Sequence, residues 1–292
     1  MVVGILGSKG FIGGHLVDHY LTHGHDVIGL DNGSTGEYIN VEAINYHIDL
    51  LTCTQQELIE IIGKCDVIIH LASTARVQPS FANPTYYFQN NLGNLVNVLN
   101  ALKHWKGKFV YFSSSSVYSS SLYYGSSEEN SLNPLSPYGL SKKMAEDMVL
   151  FYHQMFGLDV KIVRPFNVYG DRMSSLGGYS TAIQIFFDQF KAGKPLTVFG
   201  DGSQTRDFTH IQDIIQGLEL VIQSVTTDLI FNIANGTPHS INSIVATFPY
   251  TCEVEYLPEV SEPKNTKGSI LRIKSLGYSP KYNVLEWITN HL

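Results

Sequence analysis

Short apolar runs alternate with longer amphipathic stretches from the first residues of the chain onward. Residues 2–6 are apolar apart from Gly4, the pattern of a buried strand. Residues 11–23 then read as a helix. Further strands are expected at 26–31, 45–48, 66–72 and 108–112, with the run around His70 strongly apolar. Between them, a helix is expected over 54–62, with Leu58, Ile61 and Ile62 on one side, and another over 85–104 after the Asn83-Pro84 turn. Regular alternation of this kind predicts an α/β fold with a doubly wound parallel sheet. In such sheets ligands bind beyond the carboxyl ends of the strands. The stretches 7–13, 72–76 and 113–116, together with Asp31, all fall at expected strand ends, so they should converge on one crevice.

Residues 119–136 are rich in Ser, Asn and Pro and lack a hydrophobic period, which reads as a surface loop. A helix follows to about residue 156. Met144, Met148, Phe151, Tyr152 and Met155 give it an apolar face suited to a core or a dimer surface. After a strand at 160–163 the alternation weakens. A helix is expected at 179–192, after Gly177 and Gly178. Strands are expected at 196–199 and 229–233, and 208–224 turns helical at its end. The expected organisation is a first domain over 1–166 and a smaller C-terminal α/β lobe over 167–292, with 207–234 returning to the first.

Two local patterns carry chemistry. Gly7, Gly10 and Gly13 stand between an expected strand and an expected helix. Gly7 permits the tight turn, Gly10 the approach of a pyrophosphate, and Gly13 close packing of helix on strand. The helix N-terminus then offers free N–H groups and a favourable dipole to phosphates. Asp31 follows Gly13 at about the distance where an acid meets an adenosine ribose, and its charge repels a 2′-phosphate. This is the signature of a Rossmann dinucleotide site that takes NAD in preference to NADP. Lys9 is discordant, fitting either a 2′-phosphate or open solvent. The second pattern is Tyr138 and Lys142, four residues apart and hence on one helical face, behind Pro137 at a helix start. An ammonium beside a tyrosine favours the phenolate, lowering a pKa that is about 10 in the free side chain. His70, within an apolar strand, reads as a satisfied core or near-cofactor histidine.

Composition narrows the partners. The 292 residues are 43% hydrophobic and 15% charged with a net charge of -7, an ordinary folded chain without the basic patches of a nucleic-acid binder. The three cysteines, Cys53, Cys65 and Cys252, form neither a disulfide framework nor a metal-ligand spacing, and no metal is expected. No stretch approaches the ~20 apolar residues of a membrane span and no leader is evident, so a cytoplasmic location is expected.

The glycine turn, Ser113-Ser114 at a strand end, and Tyr138-Gly-Leu-Ser-Lys142 occur in a fixed order. So do Asp31-Asn-Gly-Ser-Thr-Gly36, His70-Leu-Ala72, Arg164-Pro-Phe-Asn-Val-Tyr-Gly170, Gly200-Asp-Gly-Ser-Gln-Thr-Arg-Asp207 and Leu276-Gly-Tyr-Ser-Pro280. Together they resemble the extended short-chain dehydrogenase/reductases that act on nucleotide sugars, most of all the UDP-hexose 4-epimerases. The resemblance implies NAD-dependent epimerisation at C4 through a transient 4-keto sugar. It implies that Tyr138 is the base, that Lys142 holds the nicotinamide ribose and depresses the tyrosine pKa, and that Ser114 bonds the reacting oxygen. It also implies cofactor contacts from Gly7, Gly10, Phe11, Ile12, Gly13, Asp31, Asn32, Asp49, Leu50, Leu71, Ala72 and Asn91. Asn167 and Arg206 would contact the diphosphate and Phe199 the uracil, and the protein would be a homodimer. A plain Arg206–Asp207 ion pair and a strand-end cap at Asn167 are the competing readings of two of these positions.

The sequence also departs from the pattern it resembles. The 4,6-dehydratases of the family carry an Asp-Glu pair where Ser115 and Ser116 stand, and a serine cannot act as a general acid at neutral pH. This argues against dehydration, and against decarboxylases that keep a glutamate there. The family's late arginine and aspartate are not evident over 258–276, where Lys264, Lys267 or Arg272 are the available substitutes. A 4-keto reductase and a non-catalytic NAD-binding sensor remain alternative readings.

Overall fold

The apolar run Val2–Leu6 forms β1, and the sheet grows from it in both directions. On one side stand β2 (Asp26–Asp31) and β3 (Ile44–His47). On the other stand β4 (Val67–His70), β5 (Lys108–Phe112), β6 (Asp159–Pro165) and the edge strand Ile230–Ile233. The pairings from β3 through β6 are all parallel, with Val3 opposite Val27 on one flank and Val67 on the other. The expected doubly wound sheet is therefore present, and its order reverses between β1 and β4, where a ligand crevice opens in such folds.

In this computed structural model, residues 1–119, 125–173, 181–260 and 262–292 are described. They form two compact units: Met1–Val117, Ser136–Arg164 and Val225–Phe231 in the first, and Tyr118–Leu135, Pro165–Ser224 and Asn232–Leu292 in the second. The core of the first unit includes Leu6, Ile28, Ile68, Leu95, Leu99 and Phe109, all essentially without solvent exposure. Each such side chain contributes roughly 1.5–3 kcal/mol through burial.

Local signals set the helices around this sheet. The first, α1 (Phe11–Thr22), starts at Gly10 without a side-chain cap. A reciprocal Thr54–Glu57 capping box opens α2 (Gln55–Ile62). A short helix absent from the sequence expectation, α3 (Val77–Ala82), precedes α4 (Pro84–Leu102), in which the Asn83 side chain accepts from Tyr86 N. Six residues with an internal proline leave too little apolar period for α3 to be read. Ser136 caps α5 (Pro137–Phe156), which ends at Gly157 with φ of 70°. The fourth strand stops at His70, short of the expected residue 72. The N–H groups of Leu71 and Ala72 both turn to Leu6 O, at 2.8 and 2.9 Å.

The segment belonging with the first unit is shorter than the expected 207–234. Lys161 Nζ donates to the carbonyls of Thr226 and Asp228, at 2.7 and 2.6 Å, and Ile162 N donates to Leu229 O. The preceding helix, Ile211–Gln223, belongs to the second unit, where Gly217 packs on Ile233 and Ile273 and Asp213 accepts from Lys281 N and Tyr282 N. Within that unit Leu196–Phe199 pairs with Val254–Leu257 in parallel, and Thr205–Asp207 with Pro238–Ser240 antiparallel. The helix expected from 179 is seen as Ala182–Lys191, capped by Thr181, while Gly177 and Gly178 lie outside the described residues. No helix among the described residues is long and apolar enough to cross a membrane.

Candidate active site

The turn from β1 into α1 is built to leave room. Gly7 has φ of +93°, and a Cβ there would meet Ala72 N at 2.8 Å. A Cβ on Gly13 would sit 2.0 Å from Gly7 O. Neither position admits another residue without moving backbone. Because no side chain caps α1, the backbone N–H groups of its first turn, including those of Phe11 and Ile12, keep their capacity for an anion. At the end of β2, Asp31 accepts from Lys9 N at 2.9 Å and Gly33 N at 2.7 Å, which fixes its carboxylate beside the turn. Asn32 accepts from Ser34 N, and the Lys9 ammonium and the His47 ring both lie against Gly33. Beyond β3, Asp49 accepts from Leu51 N while Leu50 is core. These features form a cradle at the point where the strand order reverses, and its shape and donors fit a dinucleotide.

The second cluster lies on α5 and the loops after β4 and β5. Tyr138 and Lys142 are both buried, one helical turn apart. Lys142 Nζ donates to Phe112 O at 2.8 Å and lies 4.9 Å over the Tyr111 ring. Burial lowers the Lys142 pKa to about 7, and the nearby Glu146 carboxylate opposes that fall. Burial likewise raises the Tyr138 pKa, against the pull of a hydrogen bond with Ser114 and the field of Arg76. Arg76 thus opposes the rise in the Tyr138 pKa, while Lys142 donates to Phe112 O and lies over the Tyr111 ring. Ser114 also accepts from Ser116 N at 3.1 Å, so it holds the start of the turn containing Ser115 and Ser116.

Two braces position this cluster. Asn91, expected at the cofactor, uses both amide N–H bonds inside the protein. They go to Thr74 O and Ser141 Oγ at 3.0 Å each, while Asn91 Oδ1 accepts from Thr74 N at 2.7 Å. Its side chain therefore ties the β4–α3 loop to α5. Beneath Lys142, Glu146 receives Arg164 in two bonds, Nε to Oε1 at 2.9 Å and Nη2 to Oε2 at 2.6 Å, with the Ser113 hydroxyl also donating to Oε1. His70 is core and packs against Phe109 and Tyr111, but among the described residues neither ring nitrogen finds a hydrogen-bond partner. Of the two expected settings, core or near the cofactor, the core placement is seen, without the hydrogen bonds that would satisfy the ring, and burial holds it neutral, with its pKa lowered to about 3.

Three sequence candidates lie in the second unit. Asn167, at a φ of 25°, donates to Asp207 O at 3.0 Å. Phe199 is exposed at a strand end, its carbonyl accepting from Gln204 Nε2. Arg206 pairs with Glu262 at 2.9 Å, not with Asp207. Asp207 is instead fully buried and gathers the N–H groups of Asn235, Gly236 and Gly268. Burial outweighs those donors and leaves its pKa raised to about 6.

Comparison with known proteins adds to this geometry. Residues 3–234 match the profile described as the NAD dependent epimerase/dehydratase family. A putative UDP-glucose 4-epimerase of Methanocaldococcus jannaschii is 32% identical over 97% of this chain and 95% of its own length. UDP-glucuronic acid decarboxylase 1 of Danio rerio is 30% identical over 94% of this chain and 68% of its own. The crystal structure of UDP-glucuronic acid 4-epimerase from Bacillus cereus with UDP-glucuronic acid and NAD superposes with a TM-score of 0.91. It is 30% identical, covering 99% of this chain and 96% of that one.

Proposed function

The chain belongs to the NAD dependent epimerase/dehydratase family, and we propose that within it the protein interconverts UDP-hexoses at C4. The observation that carries this reading is a buried tyrosine bonded to Ser114 on a helix that also holds Lys142, with serines at 115 and 116 where elimination would need acids. NAD, when bound, supplies an acceptor that takes hydride from C4 and gives it back. The turn at Gly7, Gly10 and Gly13, the first turn of α1, and Asp31 are the residues that fit it.

The chain's own residues handle the proton. Tyr138, as phenolate, removes the proton of the sugar 4-hydroxyl as the C4–H bond breaks, leaving a 4-keto sugar. Ser114 holds the reacting oxygen. On the return step Tyr138 gives the proton back, and a sugar presenting its other face leaves as the 4-epimer with no net oxidation. Lys142 offers a donor toward the cofactor's ribose. Asn167 and Arg206 are assigned to the diphosphate and Phe199 to the uracil; Arg206 suits its role because its planar fork matches phosphate oxygens, in exchange for Glu262.

We also propose a homodimer. Leu140, Met144, Phe151 and Met155 are 40%, 40%, 54% and 59% exposed and recur on one face of α5, an apolar stripe that a second copy would cover. The free thiols Cys53, Cys65 and Cys252 suit a reducing compartment such as the cytoplasm.

The test is incubation with UDP-glucose, UDP-N-acetylglucosamine and UDP-glucuronate, with products resolved by NMR. Interconversion of 4-epimers is expected, abolished in a folded Tyr138→Phe variant. Release of carbon dioxide from UDP-glucuronate, or a 4-keto-6-deoxy product, would replace this reading with decarboxylation or dehydration.

A further inference from the structure

Arg76 departs from what its sequence position calls for. It sits between β4 and α3 with φ of 107° and ψ of 134°, a conformation that side-chain-bearing residues rarely adopt. Strain of this kind persists where the surroundings impose it. Here the two residues before Arg76 are each tied to groups packed around Tyr138. Thr74 is clamped by Asn91, and its hydroxyl accepts from Asn90 Nδ2 at 2.7 Å. Asn91 in turn donates to Ser141 Oγ, and the Ser141 hydroxyl donates to Tyr138 O at 2.8 Å. Ala75 O accepts from the Tyr87 hydroxyl at 3.2 Å, and the Tyr87 ring meets Tyr138 edge-on at 6.3 Å. The Arg76 Nε is shut off from solvent.

We propose that Arg76 is a positioning residue for the proton transfer: a permanent cation, held by a strained and doubly tethered loop, that stabilises the Tyr138 phenolate. This rests on the reading of Tyr138 as the base. The groups facing Tyr138 support it. Ser114, beyond β5, is neutral. Tyr87 on α4 is a phenol, and Tyr111 on β5 is pushed far up by burial, so it stays a phenol as well. On α5, the Glu146 carboxylate is taken up by Arg164, and Lys142 is bound to Phe112 O with a pKa lowered to about 7. A guanidinium does not deprotonate in proteins. Among the described residues Arg76 is thus a cation whose charge persists across the working pH range, on a loop tied to the groups around Tyr138, and its field opposes the rise in the tyrosine pKa.

The experiment compares pH profiles of kcat/KM for UDP-hexose epimerisation by the NAD-loaded protein and by Arg76→Met, Arg76→Lys and Tyr138→Phe. Met and Lys bear the same backbone strain, so they differ in charge alone. In Arg76→Met the acidic limb should move up by about one pH unit, which reads as a roughly tenfold loss at a fixed pH on that limb. Arg76→Lys should return the limb to within a few tenths of a unit of wild type. Arg76→Met and Arg76→Lys profiles that fall uniformly, with the limb unmoved, would overturn the inference and leave a structural role. Tyr138→Phe separates the two claims. If it is inactive while the Arg76→Met limb does not move, only the role of Arg76 fails; if it still turns over, Tyr138 is not the base and both fail.

Discussion

Glu146→Gln isolates the brace under the proposed active site. The wild-type carboxylate and the Arg164 guanidinium are each 2% exposed and joined by two charge-assisted bonds, with the Ser113 hydroxyl as a third donor. Glutamine preserves the shape and one acceptor oxygen but removes the charge, so the buried Arg164 loses the carboxylate that neutralises it here. Breaking such a pair from one side costs about 3–5 kcal/mol, and the retained acceptor places this variant near the lower figure. For a folding unit of roughly 150 residues, about 3 kcal/mol corresponds to a fall in Tm of about 6–12 °C. Thermal unfolding followed by circular dichroism measures it. The double substitution Glu146→Leu with Arg164→Met should recover most of the loss, because it removes both buried charges and fills the space with apolar groups. A fall under about 2 °C in Glu146→Gln, or a double variant no more stable than the single one, would refute this account of the brace.

Two further outcomes follow from the geometry. Gly13→Ala would place a Cβ 2.0 Å from Gly7 O and force the turn open; NAD affinity by calorimetric titration should fall at least tenfold, about 1.4 kcal/mol, and unchanged affinity would remove this turn from the cofactor site. Lys142 releases its proton near pH 7 in the folded apoprotein, whereas its ordinary pKa is 10.5. Between those values the unfolded chain binds more protons, so this residue's contribution makes stability rise with pH across that window, its burial cost being fully present below pH 7. The stability advantage of Lys142→Met over wild type in urea unfolding should therefore shrink from pH 7 to 10, and a constant gap would show that Lys142 does not titrate there.

Legibility in the sequence followed the range of the interactions. The glycine turn, Asp31 and the Tyr138–Lys142 spacing are written within a few residues, because a tight turn or a helical face is a local requirement. The parallel strands were legible because burial on both faces demands continuous apolar runs. Glu146 was within reach: it lies one turn past Lys142 on the same helical face, although its partner Arg164 comes from β6. The remaining features depend on residues far apart in the chain. Nothing in the neighbourhood of Arg76 announces a positive φ, which the tethers to Asn91 and Tyr87 impose. Nothing near Asp207 announces that it gathers N–H groups from residues 235, 236 and 268. The competing reading of Arg206 as the ion-pair partner of Asp207 fails for the same reason, since Glu262 reaches it through the fold while Asp207 is only its neighbour in sequence.

The central claim is that one hydride leaves C4 and returns to it while Tyr138 carries the proton. UDP-glucose deuterated at C4, incubated with the NAD-loaded protein and followed by NMR, tests it directly. The account predicts a 4-epimer that keeps its deuterium at C4, formed without net accumulation of NADH. A 4-epimer that has lost the label to solvent, or a product altered at C5 or C6, would contradict it.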